Sequence, residues 1–99
     1  MIYELAAVQI RTGDESTFEE RVALAAEIFL EDPACHGVEL LRSIEAPCGF
    51  RLRIGWDSVA AHERFRTGDG FRRWRALVGP LLDGTPVVEH ARKVVSSLR

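Results

Sequence analysis

Three isolated histidines, a tryptophan on a helical apolar stripe and a cluster of arginines hold most of the chemistry available to this 99-residue chain. His36, His62 and His90 each titrate in the range where a side chain can take or give a proton near neutral pH. His90 is either a base or hydrogen-bond donor, or a sheet-face residue at a contact between two copies. His62, beside Phe65, reads first as a half-exposed surface residue and second as a proton acceptor. His36 reads as part of a loop. Trp74 shares a face with Phe71, Val78 and Leu81, so it is either a pocket wall or plain core; a buried indole N–H needs an acceptor, or a ligand that supplies one. Arg75 is its neighbour, able to steady an oxyanion but solvated by default. Tyr3 and Gln9 can donate into a cavity or serve packing, and Trp56, ending an apolar alternation, reads as structural.

What is absent narrows the chemistry. No Gly-rich dinucleotide fingerprint, phosphate loop, G-x-S-x-G elbow or metal triad occurs. Cys35 and Cys48 flank an expected strand at Val38–Glu45, which at roughly 3.3 Å per residue holds them apart. A disulfide needs Cα atoms within about 7 Å, so no bridge is expected, and there is no C-x-x-C pair or zinc spacing. Any activity must use an enclosed pocket, a few polar groups and the reactivity of the substrate itself. No metal and no cofactor is expected.

The elements that must position these residues follow from periodicity. Residues 2–11 read as a strand. Gly13-Asp14 breaks it, and Ser16-x-x-Glu19 is a capping box for a helix carrying Phe18, Val22, Ala25 and Phe29, which ends at Asp32-Pro33. Val38, Leu40 and Ile44 alternate along a second strand. After the turn Ala46-Pro47-Cys48-Gly49, a third strand alternates Phe50, Leu52, Ile54 and Trp56 with Arg51, Arg53 and Gly55. Asp57 or Ser58 caps a short helix bearing His62 and Phe65. Gly68-Asp69-Gly70 interrupts it before the Phe71–Leu81 run, and Gly84-Thr85-Pro86 resets the chain for a strand at about 86–95. The order β-α-β-β-α-β is the ferredoxin-like arrangement, an α+β fold with helices on one face of a four-stranded antiparallel sheet.

Length and composition fit one domain over residues 1–99, with 46% hydrophobic and 28% charged residues. A chain of this size buries only about 60–65% of its unfolded surface, so association would hide leftover apolar area. The second sheet face, with Arg51, Arg53, Leu41 and either Glu89 or His90, suits a partner sheet. No run reaches a membrane span and no signal peptide is visible, so a cytoplasmic protein without membrane contact is expected. Net charge is −2, from −7 over residues 1–50 and +5 over 51–99. Arg64, Arg66, Arg72, Arg73 and Arg75 cluster, but solvated helix faces explain them better than nucleic acid, given a pI near 5.9.

Between Trp56 and His90 the chain reads W-x-S-x-x-A-H-x-x-F, then F-x-x-W, P-x-L and P-x-V-E-H. In this it resembles the antibiotic biosynthesis monooxygenase family of small dimeric α/β-barrel proteins. The resemblance implies a homodimer whose two sheets pack into a barrel, with a cavity between sheet and helices. It further implies cofactor-independent oxidation of an electron-rich aromatic, quinol or polyketide-like small molecule by O2. Trp74, His90 and His62 become the catalytic candidates, and Tyr3, Phe65, Phe71 and Arg75 the substrate-binding ones.

The haem-degrading relatives use an Asn, a Trp and a His where this chain has no asparagine, Phe65 and Arg75; haem degradation does not fit. Quinol-oxidising relatives carry histidines near positions occupied here by Phe65 and Gly70. The alternatives are a non-catalytic barrel that binds a small ligand or serves a stress response, and a cyclase or isomerase on the same fold. An enzyme should place an ionisable group with a shifted pKa deep beside Trp74.

Overall fold

A computed structural model describes residues 1–99. Strand β1 (Ile2–Gln9) alternates burial from residue to residue, as a strand with one face on a core must. Ile2, Glu4, Ala6 and Val8 face inward, while Tyr3, Leu5 and Ala7 face out. Helix α1 (Glu15–Leu30) buries Phe18, Val22, Ala25, Ile28 and Phe29. It starts one residue before Ser16, so the expected capping box does not form. Instead Asp14 is the N-cap residue, and Glu15 accepts the Gly13 N–H at 2.6 Å. Gly13 takes φ 99°, a turn conformation open to glycine at little cost.

Strands β2 (Cys35–Arg42) and β3 (Gly49–Trp56) form the next hairpin. β2 ends before Ile44, which is left 87% exposed. Phe50, Leu52, Ile54 and Trp56 are all buried, the alternation expected for β3. Ser58 accepts the Ala61 N–H at 3.1 Å and so caps α2 (Val59–Arg66). α3 (Asp69–Val78) follows, running into a 3-10 turn at Gly79–Leu81. β4 (Val87–Ala91) stops short of residue 95, its last pair in the ladder with β1 being Ala91 with Tyr3.

The sheet order is β2-β3-β1-β4, with every pairing antiparallel. This is the ferredoxin-like α+β arrangement, with all helices on one face. The expected α/β barrel is not what forms. Closure gives every strand two hydrogen-bonded neighbours, whereas β2 and β4 each pair on one side only. The four strands therefore make an open sheet.

The core lies between this sheet and the helices. Trp56, Phe50 and Ile54 of β3 are fully buried, as is Phe18 of α1 to within 1%. Phe29 links the layers: its ring centroid lies 4.8 Å from Phe65, 5.2 Å from Trp74 and 6.3 Å from Trp56. Each such side chain is worth about 1.5–3 kcal/mol when buried, so the aromatic cluster fixes where α2 and α3 sit over the sheet. Gly70 allows the close approach of α3, because a Cβ there would stand 2.7 Å from Phe65 Cε2.

Candidate functional site

Between β1, α2, α3 and the segment leading into β4 lies a cavity of about 480 Å³. Ala6, Val8 and Leu52 form its apolar floor, and Phe71, Trp74 and Val78 of α3 form a wall. Glu4 and His62 are the ionisable groups in its interior, and the exposed Arg66 and Arg75 stand on its open side. Trp74 is half-buried, and its indole N–H takes no protein partner.

Glu4 is the site residue that sequence reasoning missed. Its register on β1, between Ile2 and Ala6, aims its carboxyl inward, and only 7% of the residue is exposed. The Trp56 indole N–H donates to Glu4 Oε1 at 3.0 Å, and His62 Nε2 stands 3.1 Å from the same oxygen. Oε2 accepts nothing from the protein, yet it is not a sealed, unpaired atom. With Glu4 lining the cavity, that second oxygen is free to meet a ligand. Burial raises the Glu4 pKa; the Trp56 hydrogen bond and the nearby charges of His90 and Arg66 offset part of the rise.

His62 was expected at the surface and is instead buried, 3% exposed. One turn of α2 brings Ala61, His62 and Phe65 to the same inward side. The imidazole stacks on the Trp56 indole, centroids 5.5 Å apart and planes 20° from parallel. Its Nδ1 is 2.7 Å from His90 Nε2. Burial, then the charges of His90 and Arg66, depress the His62 pKa to about 4, so the ring is neutral at pH 7. The contact to Glu4 then joins a neutral imidazole to a carboxyl group, not two full charges.

His90 belongs to this inner cluster and not to the outer sheet face. Its register partner is Glu4, and the outward position on β4 goes to Glu89, opposite Leu5. The structure does not bring Tyr3 to the cavity. Tyr3 has the outward parity of β1 and packs under the cations of Arg53 and Lys93, 5.6 and 5.7 Å from its ring centroid. Phe65 lies behind the wall, against Phe29, Trp56 and Phe71. Phe71 and Arg75 do reach the cavity, the guanidinium carbon of Arg75 lying 6.0 Å from the Phe71 ring centroid. His36, on the edge strand β2, pairs with Asp57 just beyond the end of β3 and does not line the cavity. Cys35 and Cys48 are free thiols outside the cavity.

No group of three His, Cys, Asp or Glu side chains is placed to hold a metal ion. No helix is long and apolar enough to cross a membrane. The arrangement can nonetheless do acid–base chemistry: a desolvated carboxyl group, touched by an imidazole, opens onto an aromatic-walled cavity.

Comparisons with known proteins give the family and the fold. The family model described as antibiotic biosynthesis monooxygenase matches residues 1–77. A crystal structure from Bordetella bronchiseptica, assigned by name to the antibiotic biosynthesis monooxygenases, superposes with a TM-score of 0.93 at 41% identity, covering 95% of this chain and 97% of the other. SnoaB, described as a cofactor-independent oxygenase from Streptomyces nogalater, shares the fold at TM-score 0.82 and 18% identity, covering 96% and 94% of the two chains. YczJ of Bacillus subtilis, a protein of uncharacterised function, is 28% identical over 95 residues, which are 95% of this chain and all of YczJ.

Proposed function

From the premise that the chain belongs to the antibiotic biosynthesis monooxygenase family, we propose that it oxidises an electron-rich aromatic small molecule with O2, without metal or flavin. The observation that carries this reading is the Glu4–His62 pair on the inner wall of the cavity, facing Trp74 and Phe71. Removing a proton from a phenol, hydroquinone or anthrone gives an anion rich enough in electrons to pass one to O2 directly. The protein then has three tasks: to take the proton, to hold the ring, and to stabilise the anion while water is kept away.

Glu4 Oε2 takes the proton. Burial raises its pKa toward the working range of a general base, and His62 and the Trp56 N–H hold the other oxygen in place. Trp74 and Phe71 flank the planar substrate, and the free indole N–H of Trp74 is a donor for the developing oxyanion. The substrate radical and superoxide then combine to form the new C–O bond. For an anthrone, loss of water completes the exchange of a CH2 group and O2 for a carbonyl and H2O. His90, bonded to His62, links this cluster to solvent.

The protein acts as a homodimer in this reading. The outer sheet face carries Leu5, Ala7, Leu41 and Val87 among Arg51, Arg53 and Glu89, with Leu41 54% and Val87 70% exposed in the single chain. Sedimentation should give twice the monomer mass.

The direct test is O2 uptake by the metal-free protein with anthrones, naphthohydroquinones and catechols. Turnover should fall about 100-fold or more in Glu4→Gln, and drop clearly in Trp74→Ala. Consumption no faster than autoxidation across the panel would sink the oxygenase reading.

A further inference from the structure

The arginines of this protein divide by whether they have a partner. Arg53 meets Glu39, Arg73 meets Glu31, and Arg42 meets Glu15 and Glu19. Arg66 and Arg75 have neither an ion pair nor a hydrogen bond to the protein, and they are the two arginines that line the cavity. They come from different helices, Arg66 from the last turn of α2 and Arg75 from α3. Arg75 rests near the Phe71 ring, 6.0 Å from its centroid, which keeps its charge beside the aromatic wall. The cavity therefore combines an apolar floor and a buried carboxyl with two guanidinium groups that no protein group answers, Arg66 standing near enough for its charge to reach Glu4 and His62.

A neutral ring would leave those cations to solvent. A ring bearing a carboxylate would meet them with planar, charge-assisted hydrogen bonds, the geometry at which a guanidinium is strongest. We propose that the cavity takes a planar aromatic acid, with its carboxylate held by Arg66 and Arg75 and its ring against Phe71 and Trp74. The ring of such a ligand lies in the cavity that Glu4 and His62 also line. The inference rests on the proposed function in taking this cavity as the substrate site, and it adds the charge that the substrate carries.

The test compares a hydroxynaphthoate with the matching naphthol, followed by titration calorimetry at low and high salt. The acid should bind about tenfold more tightly at low salt, with the margin shrinking as salt screens the pair. The Arg66→Gln/Arg75→Gln double variant should erase the margin between acid and naphthol. Arg64→Gln, on the same helix but outside the cavity, should keep it. Equal affinity for acid and naphthol, or a preference that survives the double variant, overturns the proposal. O2 uptake with neutral quinols separates the two readings. Oxygenation without acid preference leaves the function standing and removes this inference; acid preference without oxygenation does the reverse.

Discussion

His62 Nδ1 and His90 Nε2 lie 2.7 Å apart, a separation that requires one proton between two ring nitrogens. With His62 neutral, two arrangements satisfy it. His62 can carry its proton on Nε2, toward an ionised Glu4, and accept from His90. Alternatively it can carry the proton on Nδ1 and donate to His90, leaving Nε2 to face a protonated Glu4. The protonation of Glu4 and the tautomer of His62 are thus linked. His90 also lowers the His62 pKa, second to burial. Replacing His90 with Ala should raise the His62 pKa from about 4 while leaving it below the ordinary value of about 6.5, as read from the imidazole C–H shifts by NMR. An unchanged titration would mean that the two rings do not meet in solution.

His62 also sets an acid limit on stability. Its folded pKa of about 4 lies below an unfolded value of about 6.5, so the folded state excludes a proton that the unfolded state binds. The contribution is complete above about pH 6.5 and is lost as pH falls toward 4. The difference is worth about 3 kcal/mol. Because Glu4 shifts stability the opposite way over this range, the loss should be read from urea unfolding of Glu4→Gln from pH 7 to 4, and adding His62→Gln should flatten it. A Glu4→Gln profile that is already flat there would place the imidazole in water.

Much of this site was legible in the sequence, and what was missed has identifiable physical causes. Strand and helix periods located β3, α1 and the Phe71–Trp74–Val78 face, because those signals depend only on neighbours along the chain. Glu4 was legible too: it shares parity with Ile2, Ala6, Val8 and Ile10, and a carboxylate in an inward series marks either a partner or a site. His62 was harder, since Glu63 and Arg64 beside it suggest a solvated face, while Ala61 and Phe65 set the true one. The opposite parity of Tyr3, shared with Leu5 and Ala7, points it away from the cavity. The His62–His90 contact joins residues 28 positions apart and depends on the β1–β4 register, which no local pattern encodes.

Gly70 offers a test of the packing that holds α3 over the cavity. A methyl group there would stand 2.7 Å from Phe65 Cε2 and 3.1 Å from Cζ. The Phe65 ring packs against Phe29, Trp56 and Phe71, so yielding to the methyl group disturbs those contacts. Gly70→Ala should lower stability by about 1–3 kcal/mol, despite the gain of up to about 1 kcal/mol that alanine brings to a helix. Gly79→Ala meets nothing within 4 Å and should be neutral or mildly stabilising. Thermal melts of the two variants check the contrast, and equal midpoints would show that Phe65 moves freely.

Glu4 should trade stability against activity. Its folded pKa is raised by burial, so the folded state prefers the protonated carboxyl. The stability this contributes is present below the unfolded pKa and is lost as pH rises through the folded value, above which the ionised group is a cost. Glu4→Gln removes the charge and keeps an oxygen to accept the Trp56 N–H. Stability at pH 7 should therefore rise, by about 1 kcal/mol, and the gain should vanish near pH 4, where wild type is itself protonated. The same variant has no carboxylate to take a substrate proton, so oxygen consumption should collapse as the melting temperature climbs. A variant that is both less stable and inactive would instead make Glu4 a structural partner of Trp56. Paired melts and O2 uptake on one preparation distinguish the two roles.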